Sequence, residues 1–174
     1  IHQDFEMGGV SPTVEVFSNR VEISDPGERI VPVERCIDGY QSRNERLADL
    51  MRRFGICEEK SSGIDRVIES AELMQLPAPE FLTGHKRTTV VIYGPRAFRE
   101  MNGSDRVRAC YQHCVLQYVL RKQMTNQSLR ERFGLSEGSS NTVSQIITAT
   151  MEQRLVKNDP NAPDSRRYAR YIPI

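Results

Sequence analysis

The apolar positions of this chain switch between two periods, and the switches mark its elements. Thr13-Val14-Glu15-Val16-Phe17 alternates, and so does Arg20-Val21-Glu22-Ile23-Ser24. A period of two sends successive side chains to opposite faces of a strand. With Ser18-Asn19 alone between them, the runs predict a β-hairpin. Asp25-Pro26-Gly27 predicts a turn that ends the second strand, because proline cannot donate to a ladder and glycine tolerates positive φ. Leu47, Leu50, Met51 and Phe54 then recur at helical spacing, with Gly55 placed to end the helix. Ile64, Val67, Ile68, Ala71 and Leu76 predict another helix, stopped before Pro77 and Pro79. Thr88 to Tyr93 is β-branched and apolar, which predicts a third strand. These elements imply a sheet covered by helices, an α/β or α+β layer over residues 1–101. Such a domain is thin, so further elements ahead of Ile1 are expected to complete its core.

Met101-Asn102-Gly103-Ser104 interrupts the pattern, and Ser104 is expected to N-cap the next helix. That helix is long, over residues 105–122, with Val107, Tyr111, Cys114, Val115 and Tyr118 on one face. Thr125 is the expected N-cap of a shorter helix that turns Leu129 and Phe133 inward and ends at Gly134. Ser136-Glu137-Gly138-Ser139-Ser140 is a polar turn. A third helix, about 140–154, turns Val143, Ile146, Ile147, Thr150 and Met151 inward and Asn141, Ser144, Gln145 and Thr148 outward. Leu155-Val156-Lys157 and Arg167 to Ile172 predict two strands around a loop over 158–164. Helix, helix, turn, helix and a two-stranded wing is the order of a winged helix-turn-helix domain, expected over 104–174 within an α+β chain.

Composition narrows the class. Hydrophobic residues at 38% and charged residues at 27% of 174 suit an ordered globular chain. No apolar run is long enough to span a bilayer, so no membrane partner is expected. No basic stretch and apolar core open the chain as a leader would, and Ile1 in place of a methionine predicts a piece of a longer protein. The net charge of +1 conceals an asymmetry: Ser104 onward carries eleven bases and six acids, a net of +5, while 1–103 carries thirteen and seventeen, a net of −4. A basic half joined to an acidic half suggests that the basic half alone meets a polyanion.

That half holds side chains suited to double-stranded DNA. Asn126, Gln127, Ser139, Ser140, Asn141, Thr142, Gln145 and Thr148 are hydrogen-bonding residues on the expected helix-turn-helix. Arg166, Arg167 and Arg170 flank the loop tip, placed for phosphates or the minor groove. Glu137 and Glu152 act against this. The same element order also serves as a protein-interaction or oligomerisation module, and a homo-oligomer is expected.

Other chemistry is sparse. Cys36, Cys57, Cys110 and Cys114 make no CxxC pair. Cys110 and Cys114 share a helical face, but His113 is the one further zinc ligand nearby, so small buried hydrophobes in a reducing cytoplasm are expected. His2, His85 and His113 form no H-E-x-x-H, and Ser11, Ser61 and Ser62 no G-x-S-x-G. No G-x-x-x-x-G-K-[ST] loop occurs, so helicase chemistry is not expected here, nor any catalytic residue.

Val14 to Gly27 resembles the "I-F-x-x-R-I-E-I-x-N-P-G" signature of a domain in bacterial and archaeal transcriptional regulators. Ser42-Arg43-Asn44 is similar to their "S-R-N-P-x-L-A", Ser61 to Arg66 to "G-S-G-I-x-R", Leu76 to Phe81 to "G-L-P-x-P-E-F", and His2 to Phe5 to "H-R-D-Y". The family carries a Schlafen-type AlbA-like (divergent AAA) domain upstream, is often labelled RecG-like or helicase-related, and commonly ends in a winged helix. The resemblance covers about residues 1–93. It implies a truncated sandwich of the GHKL kind, the ATP-binding fold of gyrase, the chaperone Hsp-ninety and histidine kinases. It places Asp25 and Gly27 at that fold's Asp-x-Gly turn, and Ser62 and Gly63 at its glycine loop, where backbone amides approach phosphate. On the residues alone, the same segments read as a plain turn and a helix start. The helix that would supply the metal-binding Asn falls ahead of Ile1, and Ser61 stands where the family has glycine. Weak or absent binding of ATP and Mg by this chain is the expectation.

Overall fold

The computed structural model describes residues 3–8, 11–28, 42–56, 63–84, 86–163, 165 and 168–174. Two compact units emerge, one of Ile1–Val67 with Pro79–Gly94 and one of Ile68–Ala78 with Pro95–Ile174. The chain passes from sheet to helices at Gly94–Pro95, ahead of the Asn102-Gly103 break, and the second unit also claims residues 68–78.

In the first unit, β1 (Thr13–Val16), β2 (Arg20–Pro26), β3 (Glu80–Gly84) and β4 (Arg87–Tyr93) form an antiparallel sheet ordered β1-β2-β4-β3. The expected hairpin is present: Val16 pairs with Val21, and the Phe17 N–H donates to Arg20 O at 2.9 Å across Ser18-Asn19. β2 runs two residues further than expected, to Pro26. The β1 ladder stops at Thr13 and Ser24, so the missing proline N–H breaks no rung with β1. β3 has no counterpart among the expected strands. Pro77 and Pro79 obscure its short run, and pairing with β4 (Phe81 to Val90, Leu82 to Thr89) defines it. Val14, Ile23, Val90 and Phe81 line one row of the sheet, and on the opposite face Ser24 and Val91 are buried.

The helix α1 (Glu45–Arg53) ends in a Schellman turn, Gly55 (φ 68°) donating to Arg52 O and Ile56 to Met51 O. Its buried residue is Ala48, while Leu50 and Phe54 of the expected apolar stripe are exposed. The helix α2 (Gly63–Leu73) stops three residues before Leu76. Gln75 takes the left-handed position (φ 53°) and the Leu76 N–H closes the turn on Ala71 O.

The second unit is built on α3 (Gly103–Val119), α4 (Asn126–Arg132), α5 (Ser140–Glu152) and a two-stranded antiparallel sheet, β5 (Val156–Asn158) with β6 (Tyr171–Pro173). Asn102, not Ser104, caps α3: its side chain accepts from the Asp105 N–H at 2.8 Å, and Asp105 reaches back to the Asn102 N–H. The helix ends at Val119, with Arg121 left-handed (φ 60°). Thr125 caps α4 by accepting from the Ser128 N–H at 3.1 Å, and Gly134 (φ 62°) terminates it, as expected. β6 starts at Tyr171, the Tyr168 N–H donates to Ser165 O at 3.0 Å, and Arg167, where the strand was expected to begin, lies outside the described residues. Cys110, Cys114, Met124, Leu129, Val143, Ile147 and Val156 make the core. Tyr118 leaves the expected stripe and is exposed, whereas Gln112, His113 and Leu116 are buried.

Residues 68–78 account for the burial of His113. Arg132 is buried, with a side chain 1% exposed. Its Nη2 donates to Leu76 O at 2.7 Å, and its Nε lies 3.6 Å from Glu72 Oε1. The other carboxylate oxygen of Glu72 sits 2.9 Å from His113 Nδ1, and His113 Nε2 lies 3.0 Å from Ser128 Oγ. Arg108 Nε donates to Ala78 O at 3.2 Å. Burial pulls the Arg132 guanidinium below its usual range, and the Glu72 charge opposes that pull. Removing one partner of a buried ion pair costs about 3 kcal/mol or more. Glu72→Ala is therefore expected to lower the unfolding free energy by about 3 kcal/mol in urea denaturation. A loss below about 1 kcal/mol would contradict the assigned role of the pair.

Candidate nucleic-acid interface

The geometry of the α4–α5 pair follows from local sequence. Thr125 and Gly134 fix where α4 begins and ends, and the three-residue turn Glu137–Ser139 delivers the chain into α5. Val143, Ile146, Ile147 and Thr150 bury one side of α5. Asn141, Ser144, Gln145 and Thr148 are exposed on the other, while Ser139 and Thr142 are partly covered. The neutral polar face read from the sequence is thus brought together on one helix.

Asn126 has a different occupation from the one expected. Its Nδ2 donates to Ser140 O and to Ser144 Oγ, both at 3.0 Å, and its Oδ1 accepts from Ser140 Oγ at 3.2 Å. The side chain is a tie between the starts of α4 and α5, and its amide is already occupied. Arg130 Nε also donates to Asn126 Oδ1, at 3.1 Å. Arg130 thereby joins the candidate surface, which the sequence reading missed although Asn126 and Arg130 stand one helical turn apart. Gln127 is exposed and donates to Glu131 Oε1 at 2.9 Å. The Thr148 hydroxyl donates back to Ser144 O at 3.0 Å.

The loop between β5 and β6 is anchored at its base. Asp159 is buried, its N–H donates to Arg170 O at 2.8 Å, and its carboxylate accepts from the Asn161 N–H at 2.9 Å. Gln123 Nε2 donates to the same carboxylate, and Gln123 Oε1 accepts from Arg170 Nη1 at 2.7 Å. Arg170 is thus exposed but oriented. Arg166 and Arg167 lie outside the described residues.

Part of the basic excess faces inward. Arg108 pairs with Asp105 at 2.7 Å, Arg106 lies over the Phe98 ring at 4.3 Å, and Arg132 is buried. Arg99, Arg121, Lys122, Arg154, Lys157 and Arg170 remain exposed, against Glu69, Glu100, Glu131, Glu137 and Glu152. The outer surface of this unit stays net positive among the described residues.

The candidate phosphate-binding residues of the first unit are not assembled in this way. Asp25 lies within β2, paired with Thr88, where the sequence suggested an open turn. Gly27 has φ 112°, and a Cβ added there would meet Asp4 Cβ at 2.9 Å and Arg43 Nη2 at 3.3 Å. Its N–H already donates to Lys86 O at 2.7 Å. Arg43 bridges Asp4 and the Glu28 carbonyl, so the Ser-Arg-Asn motif ties chain segments together. Gly63 opens α2, where a Cβ would meet nothing within 4 Å, and Ser62 lies outside the described residues. The Gly27 amide is thus engaged and not free to meet a phosphate, while the space beside Gly63 is open.

The cysteines of the core do no visible chemistry. Burial pushes the Cys110 thiol up to about 12 and raises that of Cys114 as well. No group of three metal-ligating residues occurs among the described residues. Cys36 and Cys57 lie outside them. No helix among the described residues is long and apolar enough to cross a membrane.

Residues 9–92 match the family model described as "Putative ATP-dependent DNA helicase recG C-terminal". The match supports a RecG-like, ATPase-related domain over that stretch. No curated protein matches the chain. Among solved structures, the DIP2311 protein from Corynebacterium diphtheriae is similar, with a TM-score of 0.53 and 15% identity over 86% of this chain. At that identity the likeness concerns fold alone, and the chain spans 33% of that protein's length.

Proposed function

We propose that the second unit is a winged helix-turn-helix domain that binds double-stranded DNA. The chain would be the DNA-binding part of a transcriptional regulator of the Schlafen-associated kind. Its first unit, derived from a GHKL-like sandwich, assembles subunits into a homo-oligomer or senses a ligand. The observation that carries this reading is α5 itself: it is dry on one side, neutral and polar on the other, and tied to α4 through Asn126. Exposed basic residues and the anchored β5–β6 loop supply phosphate contacts around it.

Salt dependence tests the reading. Each phosphate neutralised on duplex DNA contributes a log–log slope of about −0.9. Fluorescence anisotropy between about 50 and 200 mM salt should show a slope of several units. Changing Arg166, Arg167 and Arg170 together to Ala should reduce its magnitude by about 2.7. An unchanged slope contradicts the loop contact, and no binding at the lowest salt favours a protein-interaction module.

A second reading rests on the family match over residues 9–92, whose description names an ATP-dependent enzyme. In it the first unit binds ATP. The closed surroundings of Gly27 favour loss of that property in this chain. Isothermal titration with Mg-ATP is expected to give no heat of binding. Saturable heat, abolished by Asp25→Ala, would restore the nucleotide reading.

A further inference from the structure

We infer that α5 reads adenine-containing base pairs in the major groove, through Asn141 and Gln145. The inference rests on the DNA-binding reading above and names the sequence class that this surface takes.

Charge is missing from α5. Ser140–Glu152 contains no lysine or arginine, and its one carboxylate, Glu152, is its last residue. In the major groove guanine presents two acceptors, which call for Arg or Lys, and cytosine presents a donor, which calls for a carboxylate. Adenine presents one acceptor and one donor side by side, which a primary amide matches with its own donor and acceptor. Asn141 and Gln145 are the primary amides on the exposed face of α5.

Neither amide is engaged by another side chain or the backbone among the described residues, and both are exposed. The other candidate amides are committed, Asn126 to Ser140 and Ser144, and Gln127 to Glu131. Asn141 and Gln145 stand one helical turn apart, a rise of about 6 Å. That matches about two base-pair steps of about 3.4 Å each, so the two amides can address separate adenines. Thr148 lies one further turn along with its hydroxyl bonded to Ser144 O, which leaves its methyl to meet a thymine methyl.

Two rival sources of sequence preference are present. Arg130 is held on Asn126 at the edge of this face and would favour guanine. The arginines of the β5–β6 loop could favour A·T tracts through a narrow minor groove. The experiment separates both from α5. The full chain on a labelled random duplex is competed at one salt concentration by duplexes of equal length with an A·T or a G·C core.

The A·T competitor is expected to act at about a tenfold lower concentration, the order of discrimination of a bidentate contact. Replacing adenine by 7-deazaadenine, which lacks the major-groove N7 acceptor, should remove the advantage. Asn141→Ala with Gln145→Ala should do the same, bringing the ratio of A·T to G·C affinities to about one. Both residues are exposed, and an unchanged circular dichroism melt checks the fold of the variant. Equal competition, a G·C preference, or an A·T preference that survives the double change or the 7-deaza substitution each overturns the inference and leaves the DNA-binding reading standing. Absence of binding to every duplex removes that reading itself, and this inference with it.

Discussion

A buried guanidinium ties the helices of the second unit to residues far away in sequence. The Arg132 side chain is 1% exposed, so its charge must be met inside the protein. Its partners come from far away in sequence: the Glu72 carboxylate and the Leu76 carbonyl. The helical unit is therefore complete only with residues 68–78 docked against it. The same carboxylate orients His113, which in turn bonds Ser128 inside the capping turn of α4. One acid thus braces three helices.

From α4 the order passes to α5 through a second polar tie. Asn126 holds the start of α5 through Ser140 and Ser144, and the apolar side of α5 packs on the core. The outward face is left with neutral amides and hydroxyls, whose register is set by the packing beneath them. No lysine or arginine lies within α5, and Arg130 is held beside its start through Asn126. In the proposed DNA-binding role, such a division would separate electrostatic attachment from discrimination between bases. The first unit shows the opposite logic. Its motif residues Asp4, Gly27 and Arg43 pack on one another and leave no open amide at Gly27.

What the sequence made legible was local. The β1–β2 hairpin, the Thr125 cap, the Gly55 and Gly134 terminators and the two faces of α5 depend on neighbours within a few residues, and each followed from periodicity or capping chemistry. The features that stayed hidden were contributed by distant partners. β3 exists because β4 pairs with it, and its flanking prolines concealed it. Helix ends at Gln75, Arg121 and Arg154 adopt left-handed backbone without glycine, so no residue type announced them. His113 looked like a stray zinc ligand until Glu72 stood beside it, 41 residues away. Asn126 looked like a base reader because its partners lie 14 and 18 residues on.

The central claim is that DNA meets α5 and the β5–β6 loop, and nothing in the first unit. Amide chemical-shift mapping of the isotope-labelled chain, titrated with duplex DNA at low salt, addresses it directly. Shifts concentrated in α5 and in the segment from β5 to β6, with the amides of β1 to β4 unmoved, are the result this account predicts. Shifts confined to the four-stranded sheet, or none at all, would contradict it.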